Sequence, residues 1–188
     1  MKIKKTLGFL TALFLAACVS KPQLQVPQTL QHNQKTYDLA SRQDLDSVAR
    51  YFYVLPGEQA SKWQSAVEIL LDRGEQHRTL EERAEWRKKV YSNTGVKYFK
   101  LDVKDDVLYS YVIYEPSAQS KDWQVNVAKG KNVAHCGFVQ YQYSMKIPRT
   151  HKLRNMSNKK IISHLKKFFV DKEMKKLMQV DWALGCRR

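Results

Sequence analysis

No apolar run in this chain of 188 residues is long enough to cross a bilayer. The run from Leu7 to Ala17 covers 11 residues and is interrupted by Gly8 and Thr11. A spanning helix needs roughly 20. Glycine is scarce, with 7 residues scattered mostly at turn positions, and none of them builds a phosphate-cradling loop. The five histidines, His32, His77, His135, His151 and His164, show no H-E-x-x-H pattern or other close ligand spacing. That leaves a zinc site, or any metal cofactor, without support. Acid is in short supply too. The chain has 18 Asp and Glu against 33 Lys and Arg, a formal net charge of +15.

Catalytic signals are equally thin. Ser157 with Lys160 and Ser163 with Lys166 each match S-x-x-K, but no K-T-G or S-D-N accompanies them. A lysine-crowded region produces such matches by chance. His135 and Cys136 are adjacent, and neighbours on a strand point to opposite faces, so His135 is badly placed to act as a base for that thiol. No catalytic residue, cofactor or metal site is expected, and the chain reads as non-enzymatic. Asp102, Asp105 and Asp106 surround a turn, and forming that turn is their expected role.

What is present begins at the N-terminus. The chain opens MKIKK, with Lys2, Lys4 and Lys5 ahead of the short apolar run. A positive start, a short apolar middle and small residues at its end describe a secretory signal peptide. Leu15-Ala16-Ala17-Cys18 closes the run and resembles the lipobox of bacterial lipoproteins. The resemblance covers only about the first 18 residues. It implies removal of residues 1–17, a diacylglycerol on the Cys18 sulfur, and acylation of the new amino group. Each buried methylene contributes about 0.8 kcal/mol, and two or three chains together anchor a protein essentially permanently. Val19, where some members carry Asp, implies a Gram-negative outer-membrane lipoprotein, most often facing the periplasm.

That location decides how the basic excess is read. From Lys146 to Arg188 there are 13 basic and 3 acidic residues. A basic tail usually points to nucleic acid, but an anchored envelope protein meets little of it, and no nucleic acid is expected. The anions within reach are phospholipid headgroups, lipopolysaccharide phosphates and acidic protein surfaces. Lys159, Lys160, Lys166, Lys167, Lys172, Lys175 and Lys176 are the candidate contacts. A solvated face that keeps the protein soluble is the plainer alternative. The expected partners are the membrane, through the N-terminal lipid, and an envelope protein or anionic surface. A periplasmic inhibitor or immunity lipoprotein that neutralises a toxin or cell-wall hydrolase is the second reading. With Cys18 lipidated, Cys136 and Cys186 remain as a pair in an oxidising compartment, which reads as a disulfide.

The pattern predicts an α+β fold. Residues 18–36, with two prolines and five glutamines between Val19 and Thr36, read as a lipidated cysteine and a flexible tether reaching roughly 60 Å at most. A single domain follows over 37–188. Ser41 with Asp44 predicts a capped helix to Arg50, and "YFYVL" a strand. Trp63, Ala66, Val67, Leu70 and Leu71 fall at helical spacing. Thr79 with Glu82 opens another helix, carrying Leu80, Ala84 and Tyr91 on one face. Strands over 96–103 and 107–115 flank "KDD"; a third starts at Trp123, and "AKGKN" is read as the turn to a fourth over 133–147. A basic helix after Ser157 carries Ile161, Ile162 and Leu165, with a break near Asp171 that caps the second piece. The prediction is therefore an antiparallel meander of four to five strands with two N-terminal helices and this C-terminal helix. Tyr109, Tyr111, Tyr141 and Tyr143 either line an exposed protein- or sugar-binding face or pack under the helices, and the second is expected.

Overall fold

The computed structural model describes residues 21–74, 78–118, 120–180 and 184–187. Cys18 and Val19 lie outside them. The architecture is α+β and dominated by antiparallel sheet. Its strands in chain order are β1 (Gln23–Leu24), β2 (Thr29–His32), β3 (Lys35–Asp44), β4 (Val48–Val54), β5 (Ser65–Asp72), β6 (Tyr98–Lys104), β7 (Val107–Tyr114), β8 (Trp123–Val133), β9 (Gly137–Ile147) and β10 (Cys186–Arg187). The helices are α1 (Leu80–Asn93), α2 (His151–Arg154), α3 (Asn158–Leu165) and α4 (Asp171–Gln179), with a π-turn, Lys166–Val170, joining the last two. Eight strands form one sheet in the order β2-β3-β4-β5-β9-β8-β7-β6, curled into a half-barrel, and β1 pairs separately with β10. No helix among the described residues is long and apolar enough to cross a membrane.

The inner face of the curl carries the main core. Tyr37, Tyr53, Val67, Ile69, Val125, Val127, Val139, Tyr141 and Tyr143 point into it, and Ile161, Ile162, Leu165, Val170 and Leu177 from the C-terminal helices fill it. Helix α4 reaches both edges of the gap: Glu173 meets Asn33 beyond β2, while Met174 and Met178 lie beside Tyr109 and Tyr111 of β7. The opposite face is covered only in part. There Leu80 and Ala84 of α1 pack on Leu101, Leu108 and Phe138. Edge strand β6 carries Lys100, Asp102 and Lys104, charges that discourage pairing with another chain.

Several expectations hold at the level of single elements. Thr79 and Glu82 make both halves of a capping box at α1, and Ser157 caps α3. Asp105 and Asp106, at φ 51° and 55°, form the tight turn between β6 and β7. Tyr141 and Tyr143 are buried under the helices, and Tyr109 and Tyr111 sit half-buried at the rim.

Other expectations are corrected. The two N-terminal helices before Thr79 are strands. Asp44 does not cap a helix; its carboxylate accepts the Asp46 N–H in the turn from β3 to β4. Asx turns and helix caps use the same residue types, so Ser41 and Asp44 fitted both. The run Ser65–Asp72 is a central strand buried on both faces, where an apolar run loses its period-two signature. "AKGKN" is not a turn; β8 runs through it to Val133, and Gly130 is glycine because a Cβ there would lie 2.3 Å from Cζ of Phe138. Residues 23–36 are no tether, since they hold β1 and β2. Asp171 has helical angles and caps nothing. The face change comes from the π-turn, whose extra residue rotates α4 so that Leu177 stays on the core. The sheet has eight strands rather than four or five because β2–β5 extend the meander on one side.

Candidate functional site

The basic helical face is built by the turn that sequence periodicity missed. Lys159 and Lys160 open α3, Lys167 lies in the π-turn, and Lys172 and Lys175 lie on α4; all five are exposed. The extra residue of the π-turn keeps exposed positions on both sides of it, Lys167 and Lys172 among them, away from the core. Phe168, 52% exposed, and Met178, 48% exposed, share this outer surface. The Lys167 ammonium lies 5.5 Å from the Phe168 ring centre, and the His164 ring centre lies 4.6 Å from it. The surface is thus cationic with apolar points, a combination suited to an anionic interface.

Lys166 and Lys176 do different work. Lys166 turns inward, its ammonium 5.8 Å from the Tyr111 ring on β7. Lys176 donates to Glu173 at 2.8 Å. Lys166 holds the helix to the sheet, Lys176 braces the Glu173 carboxylate within α4, and the other five of the seven candidate lysines are exposed.

Glu173 is the anchor of α4, and nothing in its local sequence marks it. Its buried carboxylate accepts from Asn33 at 2.5 Å as well as from Lys176. His32 Nε2 lies 3.9 Å away. The other nitrogen of that ring, Nδ1, hydrogen-bonds the Tyr141 hydroxyl at 3.0 Å, and the ring stacks 4.1 Å from Tyr143. Burial alone pushes the Glu173 carboxyl upward, but His32, Lys176 and Asn33 outweigh it and hold it near 2. Burial also pushes the Tyr141 and Tyr143 phenols up. A carboxyl lowered on folding contributes stability that is present above its ordinary value near 4.5 and is lost as pH falls toward 2. Glu173→Gln is therefore expected to cost about 3 kcal/mol at pH 7, with the gap to the parent closing between pH 4.5 and 2. Urea denaturation of both chains at pH 7, 4 and 3 measures it; a gap independent of pH would show that the charge of Glu173 is not what holds α4.

The opposite end of the domain fixes the N-terminal strand. Cys136 and Cys186 stand at disulfide distance, with Cα atoms 5.7 Å apart. Cys186 lies in β10, which pairs with Gln23 and Leu24 of β1. Arg73 adds a second clamp. Its Nε donates to the Pro22 carbonyl at 2.9 Å, and its Nη atoms grip the Asp44 carboxylate at 2.8 Å each. Lys21 pairs with Asp46 beside it. Among the described residues, no three His, Cys, Asp or Glu side chains gather closely enough to hold a metal ion.

Fold and site together define a curled antiparallel sheet closed by a basic helix. The chain belongs to the protein family whose model matches residues 24–182. That span opens on Leu24 in β1, in keeping with a fold that begins well before Tyr37. A protein of Haemophilus influenzae that carries the name "Uncharacterized protein" is 41% identical over 193 residues, covering 99% of this chain and 100% of that one. No solved structure matches.

Proposed function

We propose that this chain is a lipoprotein of the Gram-negative outer membrane, anchored by acyl chains on Cys18 and facing the periplasm. Its domain is a non-enzymatic binding or assembly module for an anionic envelope surface, either a headgroup layer or an acidic protein partner. The observation that carries the reading is the exposed face of Lys159, Lys160, Lys167, Lys172 and Lys175 with Phe168 and Met178 among them. Each lysine held near an anionic surface contributes about 1 kcal/mol, an attraction that fades beyond a Debye length of about 8–10 Å. The exposed Phe168 ring and Met178 thioether add apolar contact that salt does not screen.

The anchor and the domain are closely coupled in this reading. Cys18 precedes Lys21 by three residues, which limits their separation to about 11 Å. The domain therefore works at the bilayer surface, with little freedom to reach away from it.

One experiment in two arms tests this. Expressed in a Gram-negative host, the parent chain is expected to take up labelled palmitate and Cys18→Ala to take up none. A chain from residue 19, which retains every described element, is expected to bind vesicles containing phosphatidylglycerol at low salt. That binding should fall at least tenfold at about 0.3 M salt, and should be lost in the combined variant Lys167→Glu, Lys172→Glu, Lys175→Glu. Unlabelled parent chain, or vesicle binding indifferent to both salt and the three lysines, would remove the proposal.

A further inference from the structure

We propose that the arginine-lined cleft at the N-terminal end of the domain is a phosphate-binding site. Its ligand class is a phosphate group, carried by an anionic lipid headgroup or by a free phosphate ester. The cleft has a volume of about 400 Å³, and Arg73, Arg78, Arg83, Pro22, His135 and Gly137 are among its lining residues.

Arg83 is the central observation. It is only 3% exposed, and its Nε has no hydrogen-bond partner among the described residues. Its Nη1 donates to Asp72, and its guanidinium carbon lies 4.1 Å from the centre of the Phe138 ring. Arg87 approaches the same ring from 5.3 Å and donates to the neutral amide of Gln140. Arg83 thus pairs with Asp72 and keeps the N–H at Nε without an acceptor among the described residues. An unsatisfied donor on a buried charge is costly. Phosphate oxygens are the acceptors that guanidinium forks match best.

The rest of the cleft fits that ligand. Arg73 spends its N–H groups on Pro22 and Asp44, and so contributes charge to the wall. Arg78 also lines the cleft and lies over Trp86, 5.2 Å from the ring centre. Against the three lining arginines, Arg73, Arg78 and Arg83, stand the Asp44 and Asp72 carboxylates that pair with Arg73 and Arg83, so the described wall is net positive. None of the seven candidate lysines lines it, so the site is separate from the basic helical face.

Its position has a consequence if Cys18 is lipidated. Pro22 lines the cleft and lies four residues from that cysteine, so the cleft would be held at headgroup level. Phosphate binding itself does not rest on the lipoprotein reading and can be tested apart from it.

The test uses the full chain in nonionic detergent, titrated at constant ionic strength with inorganic phosphate and, separately, with short-chain phosphatidylglycerol. Tryptophan fluorescence, to which Trp86 beside Arg78 contributes along with the chain's three other tryptophans, reports binding, and thermal unfolding reports stabilisation. Saturable binding is expected with at least one of the two ligands, weakened about tenfold by Arg78→Ala and by Arg83→Lys. Thermal unfolding without ligand shows that both variants fold. The lysine variant Lys167→Glu, Lys172→Glu, Lys175→Glu should bind as the parent does. Tighter binding of the lipid assigns the site to headgroups, tighter binding of inorganic phosphate assigns it to free esters, and either upholds it. Chloride producing the same response, or affinity unchanged in both arginine variants, overturns it.

Discussion

Replacing Cys186 with alanine is expected to lower the unfolding free energy by about 4 kcal/mol under oxidising conditions. The two cysteines are 50 residues apart in sequence, and tying them restricts the unfolded chain over that whole loop. For a domain of this size the corresponding drop in melting temperature is about 10 °C. Cys186 is the better position to change, because Cys136 is buried in the main core and its removal would add a packing loss. The effect should also be local. Strand β1 is held by β10 and by the Gln25 N–H donating to the Gly185 carbonyl at 3.0 Å. Without the cross-link, amide exchange at Gln25 should rise well above that of the central strands β5 and β9. Urea denaturation and hydrogen exchange read the two consequences separately. A change below about 1 kcal/mol would mean that the pair does not cross-link the native chain.

The legible parts of this fold are those specified by neighbours in sequence. Thr79 and Glu82 cap α1 within four residues of each other, and Asp105 with Asp106 makes a turn with no help from elsewhere. The alternation of Val139, Tyr141, Tyr143 and Met145 against Phe138 and Gln140 survives because β9 meets two different environments on its two faces. Strand β5 was illegible for the opposite reason. Both its faces are covered, and Ala66, Val67, Leu70 and Leu71 happen to satisfy helical spacing as well. Strand β1 has no local signal, because its partner lies at the far end of the chain. The site follows the same division. The lysines were visible as composition, but their common face depends on the π-turn, and the turning of Lys166 onto Tyr111 of the sheet depends on a tertiary contact. Glu173 and Asn33 are 140 residues apart, and Tyr141 and His32 are 109 apart. Nothing in the neighbouring sequence marks Arg83, whose guanidinium is buried on Phe138 of β9.

Gly137→Ala is expected to be severely damaging for a single added methyl, costing more than about 4 kcal/mol. Gly137 has φ at +119°, a region that residues with a Cβ rarely enter. A Cβ there would lie 2.3 Å from the Asp72 carbonyl oxygen and 2.9 Å from the Arg73 Cα. These are backbone atoms between β5 and the start of the cleft, so no side-chain rotation relieves the clash. Gly57 provides the control. Its φ is also positive, at +82°, but nothing lies within 4 Å of its added Cβ, so Gly57→Ala should cost only about 1 kcal/mol. Urea midpoints of the two variants separate backbone strain, which both share, from the close approach that only Gly137 makes. Equal losses would mean that the approach of the β9 start to Asp72 and Arg73 is not structurally required. A large excess at Gly137 would tie three features to one contact. Asp72 carries the ion pair of Arg83, Arg73 clamps Pro22, and Cys136 next to Gly137 bonds the strand that holds β1. Pushing these backbones apart would open the arginine cleft and loosen the N-terminal strand together, so the phosphate response and amide protection at Gln25 should be lost in the same variant.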